Sequence, residues 1–71
     1  MKFYKNKSGR YEAQDRSTYF TSGQPVKYLE VNLDIWIDGR IEHNGKDYYF
    51  ISNSGKKISL YDGVILKDER K

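Results

Sequence analysis

The 71 residues contain one histidine, His43, and no cysteine. With Glu42 and Asp47 nearby, His43 has the parts of a general base: an imidazole to take a proton and a carboxylate to orient it. It also stands immediately before Asn44-Gly45, a turn signal, where an exposed polar side chain needs no catalytic explanation. A working base requires a pocket and a partner, and the sequence marks neither. Asp34, Asp38, Glu42 and Asp47 suggest a carboxylate site for Mg²⁺ or Ca²⁺. Metal loops set their ligands closely around a glycine bend, and these four do not follow that spacing. Solvent-facing strand charges account for them. Without cysteine there is no thiolate zinc site, and one histidine rules out a histidine cluster. No phosphate-cradling loop, dinucleotide motif or nucleophile elbow is present. The expectation is a protein with no enzymatic activity and no cofactor.

Binding chemistry has more to work with. Lys5, Lys7 and Arg10 alternate with Tyr4 and Tyr11, and Lys56-Lys57 adds a second basic turn. Bases that contact phosphates, set among aromatic platforms, are how small β-barrels hold single strands. The first ten residues carry four bases and no acid, so Lys5, Lys7 and Arg10 are expected to project into water unneutralised. The plainer reading is of half-buried tyrosines and of lysines that keep an edge strand soluble. A net charge of +3 is modest for a nucleic-acid binder. Trp36, Tyr48, Tyr49 and Phe50 offer a different surface, an aromatic groove for a peptide. Strand alternation sends Tyr48 and Phe50 to one face and Tyr49 to the other, which reduces the groove to Trp36 with Tyr49.

These side chains must be positioned by a single small domain. Chains this short bury only about 60% of the surface that they expose when unfolded. Aromatics, 15% of the residues, are the efficient filling for so small a core. No apolar run approaches the roughly 20 residues that span a bilayer. The N-terminal "MKFYKNKSGR" lacks the apolar stretch of a signal peptide. A cytoplasmic protein with no membrane contact is expected. The oligomeric state is left open.

Turn signals recur every eight to twelve residues, the rhythm of an all-β sandwich or barrel. Strands are expected near 2–5, 10–13, 18–21, 27–33, 35–43, 47–52, 57–61 and 64–67, with the tail at 67–71 frayed. Asn44-Gly45 should form a two-residue hairpin turn, pairing Ile41 or His43 with Lys46, Tyr48 or a neighbour. Alternation groups Leu29, Val31 and Leu33 on one face, opposite Tyr28, Glu30 and Asn32. Gly39, inside a strand pattern, suggests a bulge or sharp bend. "FYKNKSGRYE" and "YYFISNSGKKIS" echo each other: aromatic strand, Asn/Ser/Gly turn, basic residue, strand.

Tyr19-Phe20-Thr21-Ser22-Gly23, Glu30-Val31, Trp36-Ile37-x-Gly39-Arg40-Ile41-Glu42, Tyr48-Tyr49-Phe50 and Leu60-x-x-Gly63 together form a pattern. It resembles a group of short uncharacterised proteins, classed as a domain of unknown function, from low-GC Gram-positive bacteria and their mobile elements. The similarity spans roughly residues 9 to 66 and implies no activity and no site residues. The order of strands, glycine turns and Trp36 is also similar to SH3-like barrels of the Tudor kind. The expected fold is therefore an all-β, SH3-like barrel of five or six antiparallel strands built from hairpins. The expected role is a small binding or adaptor module. It contacts a protein through Trp36 and Tyr49 or, alternatively, a nucleic acid through Lys5, Lys7, Arg10, Lys56 and Lys57.

Overall fold

Short runs of aromatic and β-branched residues, cut by Asn, Ser and Gly, form seven β-strands in the computed structural model, which describes residues 1–69. They are β1 (Lys2–Lys5), β2 (Tyr11–Ala13), β3 (Pro25–Glu30), β4 (Ile35–His43), β5 (Tyr48–Ser52), β6 (Lys57–Ser59) and β7 (Val64–Asp68). Each pairing is antiparallel, in one sheet ordered β2-β1-β7-β3-β4-β5-β6. No helix among the described residues is long and apolar enough to cross a membrane.

The all-β class is as expected, but the closed barrel of five or six strands is not what forms. There are seven strands, and β2 and β6 do not pair. The side of β2 that closure would require is already taken. Phe20 N–H donates to Tyr11 O and Ala13 N–H to Thr18 O, and Glu12 bridges to Tyr19. The strand expected at 18–21 thus shrinks to this bridge. The open sheet is rolled rather than flat, since its extents are 29 × 26 × 25 Å. Its concave side holds one core: Phe3, Tyr11, Ala13, Phe20, Val26, Tyr28, Ile41, Phe50, Val64 and Leu66. Phe3 stacks on Phe20 at 4.5 Å and Tyr28 on Phe50 at 5.3 Å.

Two other expectations need correction. On β3 the buried face is Val26 and Tyr28, while Val31 and Leu33 are exposed. The strand stops at Glu30, and a turn containing Asp34 at positive φ (53°) leads into β4. Val31 and Leu33 therefore never join the sheet. The β4–β5 hairpin joins the expected strands, with His43 opposite Tyr48. Its turn, however, is centred on Gly45-Lys46, with Asn44 N–H donating to Asp47 O. Only Gly45 has positive φ (93°). Glycine at the first central position suits such a turn, whereas an Asn-Gly centre would need both residues there.

Gly39 does not interrupt β4, because it pairs with Val26 on one side and Ser52 on the other. β3 begins at Pro25, where a missing N–H is tolerated. At the C-terminus, Lys67 and Asp68 pair with Lys27 and Val26, and Glu69 N–H donates to Pro25 O. The frayed tail expected over 67–71 otherwise lies outside the described residues.

Candidate functional site

The basic hairpin is built by Asn6. Its Oδ1 accepts from the N–H groups of Ser8 and Arg10 and from the Ser8 hydroxyl, at 2.8–3.1 Å. Asn6 N–H donates to Arg10 O, and Gly9 N–H closes onto Asn6 O. The turn at 52–56 repeats this scheme. Ser52 Oγ lies 2.9 Å from Ser54 Oγ and accepts from Lys56 N–H. Ser52 N–H donates to Lys56 O, and Gly55 N–H to Ser52 O. The echo in the sequence is therefore one five-residue turn used twice, in the hairpins at the two ends of the sheet.

These hairpins do not carry five free cations. Lys5 Nζ lies 3.1 Å from Asp47 Oδ1, and Lys5 N–H donates to Asp62 Oδ1. The hydrogen bond and charge of Asp47 raise the Lys5 pKa above its ordinary value. The expectation that no acid neutralises this cluster is thus wrong for Lys5. Asp47 is forty-two residues away in sequence, and the rolled sheet brings it close. The Arg10 guanidinium lies over the Tyr19 ring at 5.7 Å, and Lys57 Nζ over Tyr49 at 5.6 Å. Lys7 and Lys56 are exposed in their turns. The length of β5 separates the Asp47 end, where Lys5 sits, from the Ser52–Lys56 turn. Lys5 and Lys57 share a cleft of about 430 Å³ whose walls include Tyr11, Tyr48, Tyr49 and Asp47, and Lys5 and Lys7 line a second one, of about 790 Å³, with Tyr4 and Arg16.

Trp36 and Tyr49 occupy the same outer face but opposite ends of it. Trp36 pairs with Leu29 and Tyr49 with Glu42. Glu42 lies six positions along β4 from Trp36, about 20 Å of strand. The two-residue groove expected from them does not form.

Trp36 belongs instead to a hairpin end rich in exposed apolar side chains. Val31, Leu33, Ile35 and Trp36 are 56%, 67%, 47% and 46% exposed at the free end of the β3–β4 hairpin. β7 pairs with β3 only at Val26–Tyr28, and β5 with β4 only from Gly39 onward. Leu29, Glu30 and residues 35–37 thus form a two-stranded ribbon that no third strand flanks among the described residues, while Asp38 O already accepts from Asn53 N–H. Sequence reading missed this surface by running the strand expected at 27–33 through Val31 and Leu33, where β3 ends at Glu30. Asn32 and Asp34, both good turn formers, were the available signal against it.

The remaining polar candidates are accounted for structurally. Arg40 Nε and Ser22 Oγ both donate to Glu42, at 2.6 and 2.8 Å, and these bonds lower the Glu42 pKa. Lys27 bridges Asp38 and Glu69. His43 Nδ1 accepts from Gly45 N–H at 3.2 Å, inside the turn. Among the described residues, no three His, Cys, Asp or Glu side chains gather to hold a metal. Tyr28, buried and hydrogen-bonded to Tyr61, has its pKa pushed up to about 12.

No curated protein and no solved structure matches this chain. A family model does match, over residues 3–67. The chain belongs to the family described as a domain of unknown function, DUF5348.

Proposed function

We propose that this domain is a non-enzymatic binding module that engages a protein through the free end of its β3–β4 hairpin. The observation that carries this reading is the exposure of four large apolar side chains around one free hairpin end, Val31 and Leu33 in the turn and Ile35 and Trp36 on opposite faces of the ribbon. Grouped large apolar side chains on a small protein's surface mark interaction sites. Tryptophan is the typical anchor of such sites. The backbone edges at Leu29–Glu30 and 35–37, which no strand among the described residues flanks, add a second means of attachment, by strand addition. Glu30 and Asp34 border the apolar group and favour a partner with a basic rim.

A second reading is nucleic-acid binding through Lys5, Lys7, Arg10, Lys56 and Lys57. The cleft that places Lys5 and Lys57 among Tyr11 and Tyr49 favours it. The carboxylates of Asp47 and Asp62 beside Lys5 weigh against it. Photo-crosslinking separates the two. A photoreactive residue in place of Leu33, expressed in a low-GC Gram-positive cell, should give one discrete protein adduct that Trp36→Ala abolishes. The same residue in place of Lys7 should give none. Adducts at Lys7 that nuclease digests, with nothing at Leu33, would reverse the assignment.

A further inference from the structure

We propose that Asn44 is a self-modifying site, at which the β4–β5 turn promotes conversion of the carboxamide to aspartate or isoaspartate. The reaction requires the Gly45 nitrogen to attack Asn44 Cγ. The new N–C bond closes a five-membered imide, and the side-chain nitrogen leaves as ammonia. Solvent water then opens the ring. Attack at Cγ restores a normal backbone bearing an aspartate side chain, and attack at the main-chain carbonyl leaves isoaspartate. The net change is one water consumed and one ammonia released, with no oxidant or metal.

The turn supplies a group for each difficult part of this sequence. Gly45 N–H donates to His43 Nδ1 at 3.2 Å, so the proton that the nucleophile must lose already points at an imidazole nitrogen. That bond fixes Nδ1 as an acceptor, since a backbone N–H only donates. The His43 ring is held by Tyr48, 4.5 Å away between centroids. Asn44 Oδ1 accepts from Lys46 N–H and Asp47 N–H, each at 2.9 Å. Two backbone donors on one carbonyl oxygen polarise it and stabilise the negative charge that develops as the nitrogen attacks. Gly45 places no side chain over the reacting atoms, and residues 43–47 are exposed to the water that completes the reaction. A base on the nucleophile's proton and an oxyanion site on the electrophile are thus assembled within one tight turn.

The product alters more than one residue. Isoaspartate lengthens the main chain beside the His43–Tyr48 pair, and either product places a carboxylate next to the Asp47 that holds Lys5.

The test follows the purified domain at neutral pH by intact mass, with tryptic cleavage after Arg40 and Lys46 releasing Ile41–Lys46 for separation of the Asn, Asp and isoAsp forms. The references are the same free peptide and the same protein unfolded in urea. Folded protein should react roughly tenfold faster or more than either, since a positioned base and oxyanion donors each accelerate such steps. His43→Ala should remove the excess, and added imidazole should return part of it. A folded rate equal to or below that of the peptide and the unfolded chain overturns the proposal. That comparison needs no variant, so a misfolded His43→Ala does not leave the matter open. An unchanged rate in folded His43→Ala likewise overturns it.

Discussion

The ring of Phe50 lies directly over Gly39 on the core face of β4, and from there it stacks on Tyr28 in β3. A Cβ on Gly39 would come within 2.6 and 2.8 Å of the Phe50 ring and would also meet the carbonyl of Ile51. The absent side chain is what lets an aromatic from β5 reach across β4. One glycine thereby couples three strands, although its backbone conformation is ordinary.

Gly39→Ala should therefore destabilise the domain sterically, by about 2–3 kcal/mol, as overpacking of a filled core does. That is a large share of the stability that a chain of this length holds. Urea unfolding should show the loss as a lower midpoint. Phe50→Leu in the same chain should relieve part of it, so the double variant should lose less than the sum of the singles.

Gly45→Val should act by a different route. Nothing lies within 4 Å of a Cβ at Gly45, but its φ is +93°, where a β-branched residue is strained. The expected cost is on the order of 1 kcal/mol or more. An unchanged melting temperature would mean that the β4–β5 turn is held by Asn44 alone.

Much of this was legible in the sequence, for local reasons. Turn chemistry is written in adjacent residues, so the place of the β4–β5 hairpin, and the likeness of the turns at 6–10 and 52–56, show through. What failed was non-local. Alternation along "PVKYLEVNLD" is compatible with either face inward, and a one-residue slip exchanges the faces. The choice of Val26 and Tyr28 is made by β4 and β7, which lie beside them only after folding. Lys5 finds Asp47 for the same reason. Trp36 and Tyr49 shared a face as alternation implied, but their distance along it depended on where β5 begins to pair with β4.

Tyr28 should make the domain sensitive to alkali. Its pKa is raised from 10 to about 12, first by burial and then by the hydrogen bond with Tyr61. A raised folded value means that this stabilisation is complete below pH 10 and fades as pH climbs toward 12. The contribution at stake is on the order of 2 kcal/mol. Unfolding free energies measured across that window should fall steeply in the parent and less steeply in Tyr28→Phe.

Glu42 sets the opposite, acid-side dependence. Its pKa is lowered from 4.5 by the bonds from Arg40 and Ser22. The stabilisation is therefore present above that value and lost as pH falls through the lower, folded one. Glu42→Gln should be less stable than the parent at neutral pH. The two should converge in acid, and salt should narrow the gap, because the cluster is exposed. A gap that stays constant into strong acid would assign the effect to packing instead of charge.

The basic hairpin yields the sharpest test of the nucleic-acid reading, because its charges are not equivalent. Lys7 lies exposed in its turn, Arg10 is stacked on Tyr19, and Lys5 is already bonded to Asp47. If the hairpin grips phosphates, neutralising Lys7 or Arg10 should flatten the salt slope of binding by roughly 0.7–0.9 units for each phosphate released. Neutralising Lys5 should do less, since Asp47 competes with phosphate for the same ammonium. Asp47→Asn should then strengthen binding by freeing Lys5, which a sheet rim serving only solubility would not show. Binding by the parent protein to single-stranded and duplex probes at low salt is the first measurement. Its absence removes the nucleic-acid reading and leaves the β3–β4 hairpin as the surface through which the domain acts.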